Sequence, residues 1–520
     1  MGNILKLKSE VARSRLLVLL AIGLVSLIIV GTSTASEDDD EVSIYTIAGE
    51  DSGFPAPYSH YPRGGGYVYM SFIFDTLVWK NEAGYVPALA ESWEMEGDVT
   101  YVFHLRDNVT WNDGEEFTAD DVVFTIDYTR DHPYIWASTA MVERAEKVND
   151  FTVKMHLKEP YAPFIDEVGG TLPILPEHVY KDVDDPQSFQ DYAALTGTGP
   201  YVLADYNKVQ ESYRFIARDN YYGGSPRVRE LRVVKVSSEM APAALAQGDI
   251  DASSITQEMI KPIEDKGFSV LTSSANGWGY KLMINHQKDP MSDKRFRQAL
   301  AYAIDRERLV EIVGRGRGLV GNQGSVPPYH SWYNPDVEEY QHDPEKSMEL
   351  LADMGYDGSV VELLTKGGSV EYDRIVELIK DDLEAVGIKV DLRSMDSKTV
   401  DSKVSEWNFD LAISGHGGAI GDPNFLAKMN SGWQFNSDRY FEDQELNNLL
   451  ERQVTETDGH ARRKMIDRIQ VLYAEDVPAI VLYYPEWAWA HDGQVDLYYT
   501  VDGVANGIPI PLNKLAFVGR

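Results

Sequence analysis

The sequence predicts an α/β protein, and three observations support that fold class. Amphipathic helical patterns alternate with short apolar strand patterns from about residue 290 to residue 484. Residues 98–130 show a strand pattern, a turn and then a helical pattern. Helices that alternate with strands are typical of α/β architecture. The 520 residues are enough for two or three domains, and we find no internal repeat.

The first elements follow the N-terminal segment. A strand-like run begins at Val42, and residues 49–66 are rich in Gly, Pro, Tyr and Ser, which predicts a long irregular loop. Residues 98–130 are interpreted as a hairpin that leads into a helix, with the turn at residues 112–114. Thr118 is the expected N-cap of that helix, because two acidic residues follow it in the first turn.

The second half contains the most regular patterns. Two short helices are expected within residues 292–313, capped by Ser292 and Asp305. An amphipathic helix is expected from Glu371 to Val386, and Gly387 ends it. The other predicted elements are strands at 388–392, 409–413 and 479–484 and helices near 444–453 and 459–474.

The charge of the chain excludes some functions. The formal net charge is −35, from 83 acidic and 48 basic residues. Such an acidic surface repels phosphate backbones, so we expect no nucleic-acid partner. The acidity is interpreted as a contribution to solubility, with a cation-attracting surface as the alternative. The absence of cysteine excludes disulfides, thiolate metal sites and cysteine nucleophiles.

The N-terminus has the features of an export segment. Four basic residues precede an apolar run of 15 residues, 16–30, and small residues follow it. This order is typical of a secretory signal, and the run is short for a membrane span. Residues 1–36 are therefore predicted to be a signal peptide cleaved near Ala35 or an uncleaved anchor. Both place the acidic spacer, residues 37–41, outside the cytoplasm.

Two short motifs resemble catalytic signatures but lack the required context. Residues 316–321 match a dinucleotide fingerprint, but no strand is predicted before them. They are interpreted as a flexible helix exit, with Arg315 and Arg317 solvated. Residues 416–418 resemble a lipase oxyanion loop, but the chain has no matching nucleophile elbow. We therefore predict a protein that is not an enzyme and has no cofactor.

Eight short blocks identify a family resemblance. In their order along the chain they resemble the signature of extracellular solute-binding proteins of family five, the binding subunits of oligopeptide, dipeptide and nickel ABC importers. The resemblance extends from about residue 42 to the C-terminus. The blocks are residues 88–93, 100–106, 111–114, 117–124, 197–201, 220–224, 296–306 and 343–346.

This resemblance implies a two-lobed type II periplasmic-binding fold, in which the lobes enclose a ligand. It places the first lobe at 42–277, with an extra subdomain at about 75–190, and the second lobe at 278–486. Residues 487–520 would return to the first lobe. The chain would then cross between the lobes twice, near Gly277 and near Pro485.

The resemblance also indicates candidate ligand-binding residues. In the family, the strand and turn before an Asp-Pro pair face the cleft, which here implies Ser414, His416, Asp422 and Asn424. His416 is the one candidate for a metal contact, and the alternative is a loop histidine bonded to backbone. The remaining candidates are aromatic, with core packing as the alternative: Trp278 and Tyr280 at the first crossing, and Tyr58 in the loop.

One position departs from the family pattern. Peptide-binding members carry an acid three residues before the Asp of the Asp-Pro pair, where it pairs with the peptide ammonium group. Here that position is Ala419, and a buried ammonium group without a partner is costly. Asp422 is the nearest substitute, although the family pattern makes it a turn residue. Trp487 and Trp489, at the second crossing, are expected to pack.

The sequence therefore predicts a monomeric binding subunit of an ABC importer, partnered by permease subunits, that captures a short peptide or a nickel chelate. Three alternatives remain open. An oligosaccharide would also suit aromatic platforms and polar loops. A ligand sensor for a membrane signalling partner would need the same clamp. A hydrolase on this scaffold would need a nucleophile and a base that the sequence does not provide.

Overall fold

A computed structural model describes residues 41–62, 64–237, 239–417, 419–430 and 442–519, except for the side chain of His416. The predicted export segment and all but the last residue of the acidic spacer lie outside the described residues. In the part that is described, no helix combines the length and the apolar character that a membrane crossing requires.

The strands occupy both halves of the chain. They are β1 (Val42–Gly49), β2 (Val78–Asn81), β3 (Gly84–Pro87), β4 (Ala90–Met95), β5 (Thr100–Leu105), β6 (Val142–Asn149), β7 (Thr152–Leu157), β8 (Tyr201–Asn207), β9 (Ser212–Ala217), β10 (Val228–Lys235), β11 (Ala252–Ile255), β12 (Ser269–Ser273), β13 (Gly279–Ile284), β14 (Leu319–Val320), β15 (Val360–Lys366), β16 (Lys389–Met395), β17 (Leu411–His416), β18 (Ala479–Tyr484) and β19 (Trp487–His491).

The α-helices are concentrated after residue 290. They are α1 (Gly64–Ser71), α2 (Ala119–Asp131), α3 (Glu177–Tyr180), α4 (Ala241–Gln247), α5 (Ile260–Glu264), α6 (Lys294–Ala303), α7 (Arg306–Ile312), α8 (Pro344–Met354), α9 (Val370–Ala385), α10 (Ser397–Ser405), α11 (Phe425–Asn430), α12 (Gln444–Arg452), α13 (Gly459–Asp476) and α14 (Lys514–Val518).

Two large sheets organise the described residues. The first has the order β12-β19-β11-β1-β10-β9-β8, and the second has the order β14-β18-β13-β17-β15-β16. We call the parts of the protein built on them the first and second lobes. Parallel and antiparallel pairs occur in both sheets, and helices cover them, as the predicted α/β class requires. The second sheet packs against α6 and α9 through a continuous apolar core.

A smaller four-stranded sheet, β4-β5-β7-β6, lies between the first-lobe strands in sequence. Helix α2 follows the predicted start: the Thr118 side chain and the Asp121 side chain form a reciprocal capping box. The predicted hairpin is correct only at its turn, where a single bridge joins Thr110 to Glu116. Strand β5 instead pairs with β4 on one side and β7 on the other, and cross-strand side-chain contacts stabilise these pairs.

Two local predictions were wrong. Asp293, not Ser292, caps α6, and its carboxylate accepts a hydrogen bond from the backbone of Arg295 at 2.8 Å.

Helix α1 begins within the predicted loop, although glycines favour loops. Its first turn packs tightly: a Cβ atom at Gly66 would lie 2.3 Å from the carbonyl oxygen of Tyr61. Tertiary packing therefore requires glycine there despite its low helix propensity.

Two short segments connect the lobes. Residues 274–278 join β12 of the first sheet to β13 of the second, and residues 485–486 join β18 to β19. The buried side chain of Asn276 links these segments, because its amide donates to the carbonyl of Pro485 at 2.7 Å. Its oxygen accepts from the backbone of Trp278 at 2.9 Å. One side chain thus holds both connections together.

Candidate ligand-binding site between the lobes

A cavity of about 570 Å³ lies beside the two connections, and we call it the hinge cavity. Both lobes contribute to its wall. An adjoining cavity of about 560 Å³ shares Ser254, Trp489 and Ile510 with it, so the space continues along the first lobe. The residues that line the hinge cavity are Ser254, Ile255, Thr256, Gln257, Glu258, Trp278, Tyr280, Val313, Arg315, Val370, Glu371, Arg374, Pro485, Glu486, Trp487, Ala488, Trp489, Pro509 and Ile510.

Three tryptophans and one tyrosine line the hinge cavity: Trp278, Trp487, Trp489 and Tyr280. The backbone of β17 explains the position of Trp278: a Cβ atom at Gly415 would lie 2.2 Å from its indole ring. The glycines of this segment therefore leave room for the indole ring of Trp278. Trp487 and Trp489, which were expected to pack, line the hinge cavity because β19 begins at its edge.

Glu371 lies among phenol groups. The Tyr483 hydroxyl donates to its carboxylate at 2.7 Å, and the Tyr280 ring stacks on Tyr483 with centroids 5.1 Å apart. Burial first, and then the negative charge of Glu371, raise the pKa of both tyrosines. The phenols therefore stay protonated at neutral pH, so Tyr483 remains a donor that orients the carboxylate.

Helix α9 brings Glu371 and Arg374 to the cavity. Ser369 caps the helix by accepting from the backbone of Tyr372 at 3.5 Å, and both charged residues lie in the first two turns. Residues three apart share a helix face. Within the described residues, no cation forms an ion pair with Glu371, and no carboxylate forms one with Arg374. Both groups can therefore interact with a solute.

The other charges around the hinge cavity are paired. Arg315 of the second lobe forms an ion pair with Glu258 of the first, and Arg317 contacts Glu486 at 2.9 Å. Both arginines are about half exposed, as the prediction of solvation required, but each also has an acidic partner. A Cβ atom at Gly318 would lie 2.4 Å from the carbonyl oxygen of Tyr484, so this loop needs glycine for close packing rather than for a nucleotide.

A second cavity, of about 300 Å³, is lined by a different set of residues, and we call it the rim cavity. A turn of π-helix, Ile165–Gly169, brings two carboxylates to it. The residues that line it are Tyr134, Ile135, Trp136, Ala137, Ser138, Asp166, Glu167, Gly417, Ile420, Asp422, Phe425, Lys428, Met429 and Asn506.

All three carboxylates of the rim cavity have cationic partners. Asp166 pairs with Lys80 at 2.5 Å, Glu167 pairs with Lys428 at 2.8 Å, and Arg462 holds both oxygens of Asp422 at 2.6 and 2.7 Å.

The rim-cavity carboxylates also join the lobes. Burial alone would raise the pKa of Asp166, but the charge and hydrogen bonds of Lys80 outweigh burial and hold that pKa below its ordinary value. The backbone of Asp422 donates to Asp166 at 3.3 Å, and the Asn424 amide donates to Glu167 at 2.8 Å. These contacts fix the second lobe against the π-helical turn.

The residues predicted from the sequence lie in different places. Trp278 and Tyr280 line the hinge cavity, and Asp422 lines the rim cavity. Asn424 is buried between Glu167 and Gln453, and Ser414 is buried in β17.

Tyr58 has a structural environment. Its hydroxyl donates to the carbonyl of His132 at 2.8 Å, and its ring packs against Tyr128 and Tyr134. It is not among the residues that line the hinge or rim cavity.

His416 and Ala419 are the two positions that the sequence linked to a metal ion and to a peptide ammonium group. The backbone of His416 pairs with Gly279 at the end of β17, and its side chain lies outside the described part of the protein. Ala419 is buried in an apolar cluster with Phe425 and Met429. In the described residues, no group of three or more His, Asp or Glu is arranged to hold a metal ion.

Sequence reasoning missed Glu371 and Arg374. The sequence pattern places them only within an amphipathic helix, and one available signal is the Ser369 cap with charged residues two and five positions later. That signal would have placed both residues at the start of α9, but only the packing of β13 and β18 shows that this end faces a cavity.

Comparisons with known proteins agree with this architecture. Residues 84–437 match the family described as bacterial extracellular solute-binding proteins, family 5 middle. The chain therefore belongs to the family 5 extracellular solute-binding proteins, as the short blocks in the sequence predicted.

The individual relatives share less than 30% sequence identity with this chain. The heme-binding protein A of Haemophilus influenzae is 28% identical over 438 residues, which cover 76% of this chain and 78% of that protein. The dipeptide-binding protein of Escherichia coli is also 28% identical over 438 residues, covering 76% and 80%. A crystal structure of NikZ from Campylobacter jejuni in complex with Ni(L-His) has a TM-score of 0.74 and 22% identity, covering 90% and 98%, which supports the two-lobed fold.

Proposed function

We propose that this protein captures a small solute outside the cytoplasm and delivers it to the permease subunits of an ABC importer, without chemical turnover. The observation that carries the proposal is the hinge cavity. Both lobes line it, and it adjoins two connecting segments of five residues or fewer. Enclosing a solute between lobes removes most of its surface from water, and closure gives a membrane partner a distinct shape to recognise.

The proposed lobes are residues 42–277, including a subdomain at about 75–190, and residues 278–486, with 487–520 returning to the first lobe. Sheet membership supports this division, because β1 and β8 to β12 share a sheet with β19, whereas β13 to β18 form the other. Residues 1–36 would direct export or anchor the chain, and residues 37–41 would space it from the membrane. The binding unit would be a monomer.

The proposed solute is a short peptide or a nickel chelate. A dipeptide-binding relative and the fold shared with NikZ support these two classes. A chelate needs few protein ligands, because the chelator fills most coordination positions of the metal. His416 is the proposed contact for that chelate.

The first test is to purify the protein from the cells that make it and to compare native with denatured mass spectra. We expect a mass difference that corresponds to one bound solute per chain. A peptide mass would support the first class, and a metal-plus-chelator mass would support the second. A solute that is converted during incubation would contradict a pure binding role. Failure to bind any solute, in this experiment and in a thermal-shift screen, would contradict the proposed function itself.

A further inference from the structure

We infer that the hinge cavity binds a zwitterion, with the ammonium group of the solute on Glu371 and its anionic group on Arg374. This inference rests on the proposed function and specifies the charge pattern of its solute. It concerns residues that neither the sequence motifs nor the comparisons single out.

The carboxylates of the two cavities differ in whether they have a cationic partner. Glu258 and Glu486 in the hinge cavity have arginine partners, and the three carboxylates of the rim cavity have cationic partners. Among the described residues that line these two cavities, Glu371 is the carboxylate without an ion pair. The Tyr483 hydroxyl, which donates to it, orients the carboxylate without neutralising it. A positively charged group of a solute would supply the missing counter-charge.

The same helix, α9, also brings a cation to the hinge cavity. Arg374 lines the hinge cavity, is exposed, and has no carboxylate partner in the described part of the chain. After the Arg315–Glu258 and Arg317–Glu486 pairs are set aside, one carboxylate and one guanidinium remain. They do not pair with each other, although they are three residues apart. One negative and one positive group complement a solute that carries both charges.

Indole rings line the hinge cavity together with these two charged groups. Trp278, Trp487 and Trp489 line the same cavity as Glu371. Indole faces attract cations and also cover apolar groups, so they suit an ammonium group attached to an apolar body. The volume of about 570 Å³ is within the range of small-molecule pockets.

Ala419 provides the contrast. The family pattern leads one to expect an acid there, but Ala419 is buried against Phe425 and Met429 in an apolar cluster. The side chain of residue 419 therefore cannot supply a carboxylate to an ammonium group of the solute. In the proposed binding mode, Glu371 in the first turn of α9 supplies the carboxylate that position 419 lacks.

The test uses four probes and the full chain, purified in mild detergent and dialysed exhaustively. The probes are the dipeptide Leu-Phe, its N-acetyl form, its C-terminal amide, and the form with both ends blocked. Isothermal titration calorimetry is performed with the wild-type protein, Glu371→Gln and Arg374→Gln. We expect Leu-Phe to bind and either substitution to raise its Kd at least tenfold.

The coupling between probe and variant makes the test specific. Glu371→Gln should change the affinity for the N-acetyl probe less than twofold, because that probe has no ammonium group to lose. Arg374→Gln should likewise leave the affinity for the amide probe unchanged. Glu377→Gln is the matched control, since Glu377 is an exposed residue of α9 that does not line the cavity, and it should leave all four affinities unchanged.

Two outcomes would overturn the inference. One is equal binding of the blocked and free peptides, and the other is binding of no probe at all. Neither outcome would overturn solute capture if the native mass spectrum still contained a bound solute. Equal loss of all four affinities in Glu371→Gln would indicate a structural role for Glu371 and would also contradict the inference.

Discussion

The rim cavity and the hinge cavity use similar residues for different purposes. In the rim cavity, Asp166, Glu167 and Asp422 are paired with cations, and two of these residues also accept hydrogen bonds from the opposite lobe. In the hinge cavity, Glu371 has a phenol donor and no cation among the described residues. Paired charges fix a contact between lobes, whereas an unpaired charge in a cavity favours a charged solute. The difference between the cavities is therefore one of pairing, not of composition.

The largest effect should come from breaking a pair in the rim cavity. Asp422→Ala leaves the guanidinium of Arg462 buried without its carboxylate, although Gln453 still contacts it. We expect the free energy of unfolding to fall by about 3 kcal/mol, because an uncompensated buried charge is costly. Urea denaturation followed by circular dichroism measures this change.

The free energy of unfolding of the Glu371→Gln variant, measured in the same way, is the comparison for Asp422→Ala. The amide oxygen can still accept from Tyr483, so we expect a change in stability of less than about 1 kcal/mol. If the Glu371 variant loses as much stability as the Asp422 variant, the distinction between a structural and a solute-binding carboxylate is wrong.

The wall of the rim cavity should also be sensitive to pH. His60 stacks on Trp136, and burial lowers its pKa from 6.5 to about 4. Since the unfolded chain binds a proton on this residue near pH 6.5 and the folded chain does not, stability falls as the pH decreases below 6.5. We expect His60 to account for about 1.5 kcal/mol of the loss between pH 6.5 and pH 5.

Urea denaturation at both pH values, for the wild type and for His60→Phe, isolates this contribution. Phenylalanine keeps a ring beside Trp136 and removes the titratable nitrogen atoms. The decrease in stability should be smaller in the variant by the amount above, and equal decreases in the two proteins would contradict the assignment to His60.

The smallest effect concerns the ion pair at the mouth of the hinge cavity. Arg315 and Glu258 join the lobes, but both are about half exposed. Exposed pairs contribute little, so a double-mutant cycle with Arg315→Gln and Glu258→Gln should give a coupling of about 0.5 kcal/mol in unfolding free energy. The coupling should disappear at about 1 M salt, where screening acts over roughly 3 Å. A coupling that survives high salt would mean that the pair is shielded from solvent.

Much of the fold could be predicted from the sequence because its signals are local. The helix patterns, the Thr118 and Asp305 caps and the buried strand at 479–484 require only residues close together in the chain, and all are present in the structure. The capping prediction at Ser292 was wrong by one residue, which reflects the usual uncertainty of helix ends.

The candidate site was less predictable. The crossing at Gly277 drew attention to Trp278 and Tyr280, and both line the hinge cavity. Glu371 and Arg374, in contrast, resemble any charged residues on the exposed face of an amphipathic helix. Their proximity to Trp487, more than 100 residues away in the chain, depends on how α9 packs against the sheet.

By itself, the sequence determined the α/β class, the family and the acidic charge, because composition, local pattern and motif order encode them. Only the tertiary structure decided which carboxylates are paired. Pairing depends on distances between side chains from separate elements, such as Arg462 with Asp422 or Arg315 with Glu258. The same distances left Glu371 at an aromatic cavity with no ion-pair partner in the described part of the chain, and no pattern of neighbouring residues could have revealed that.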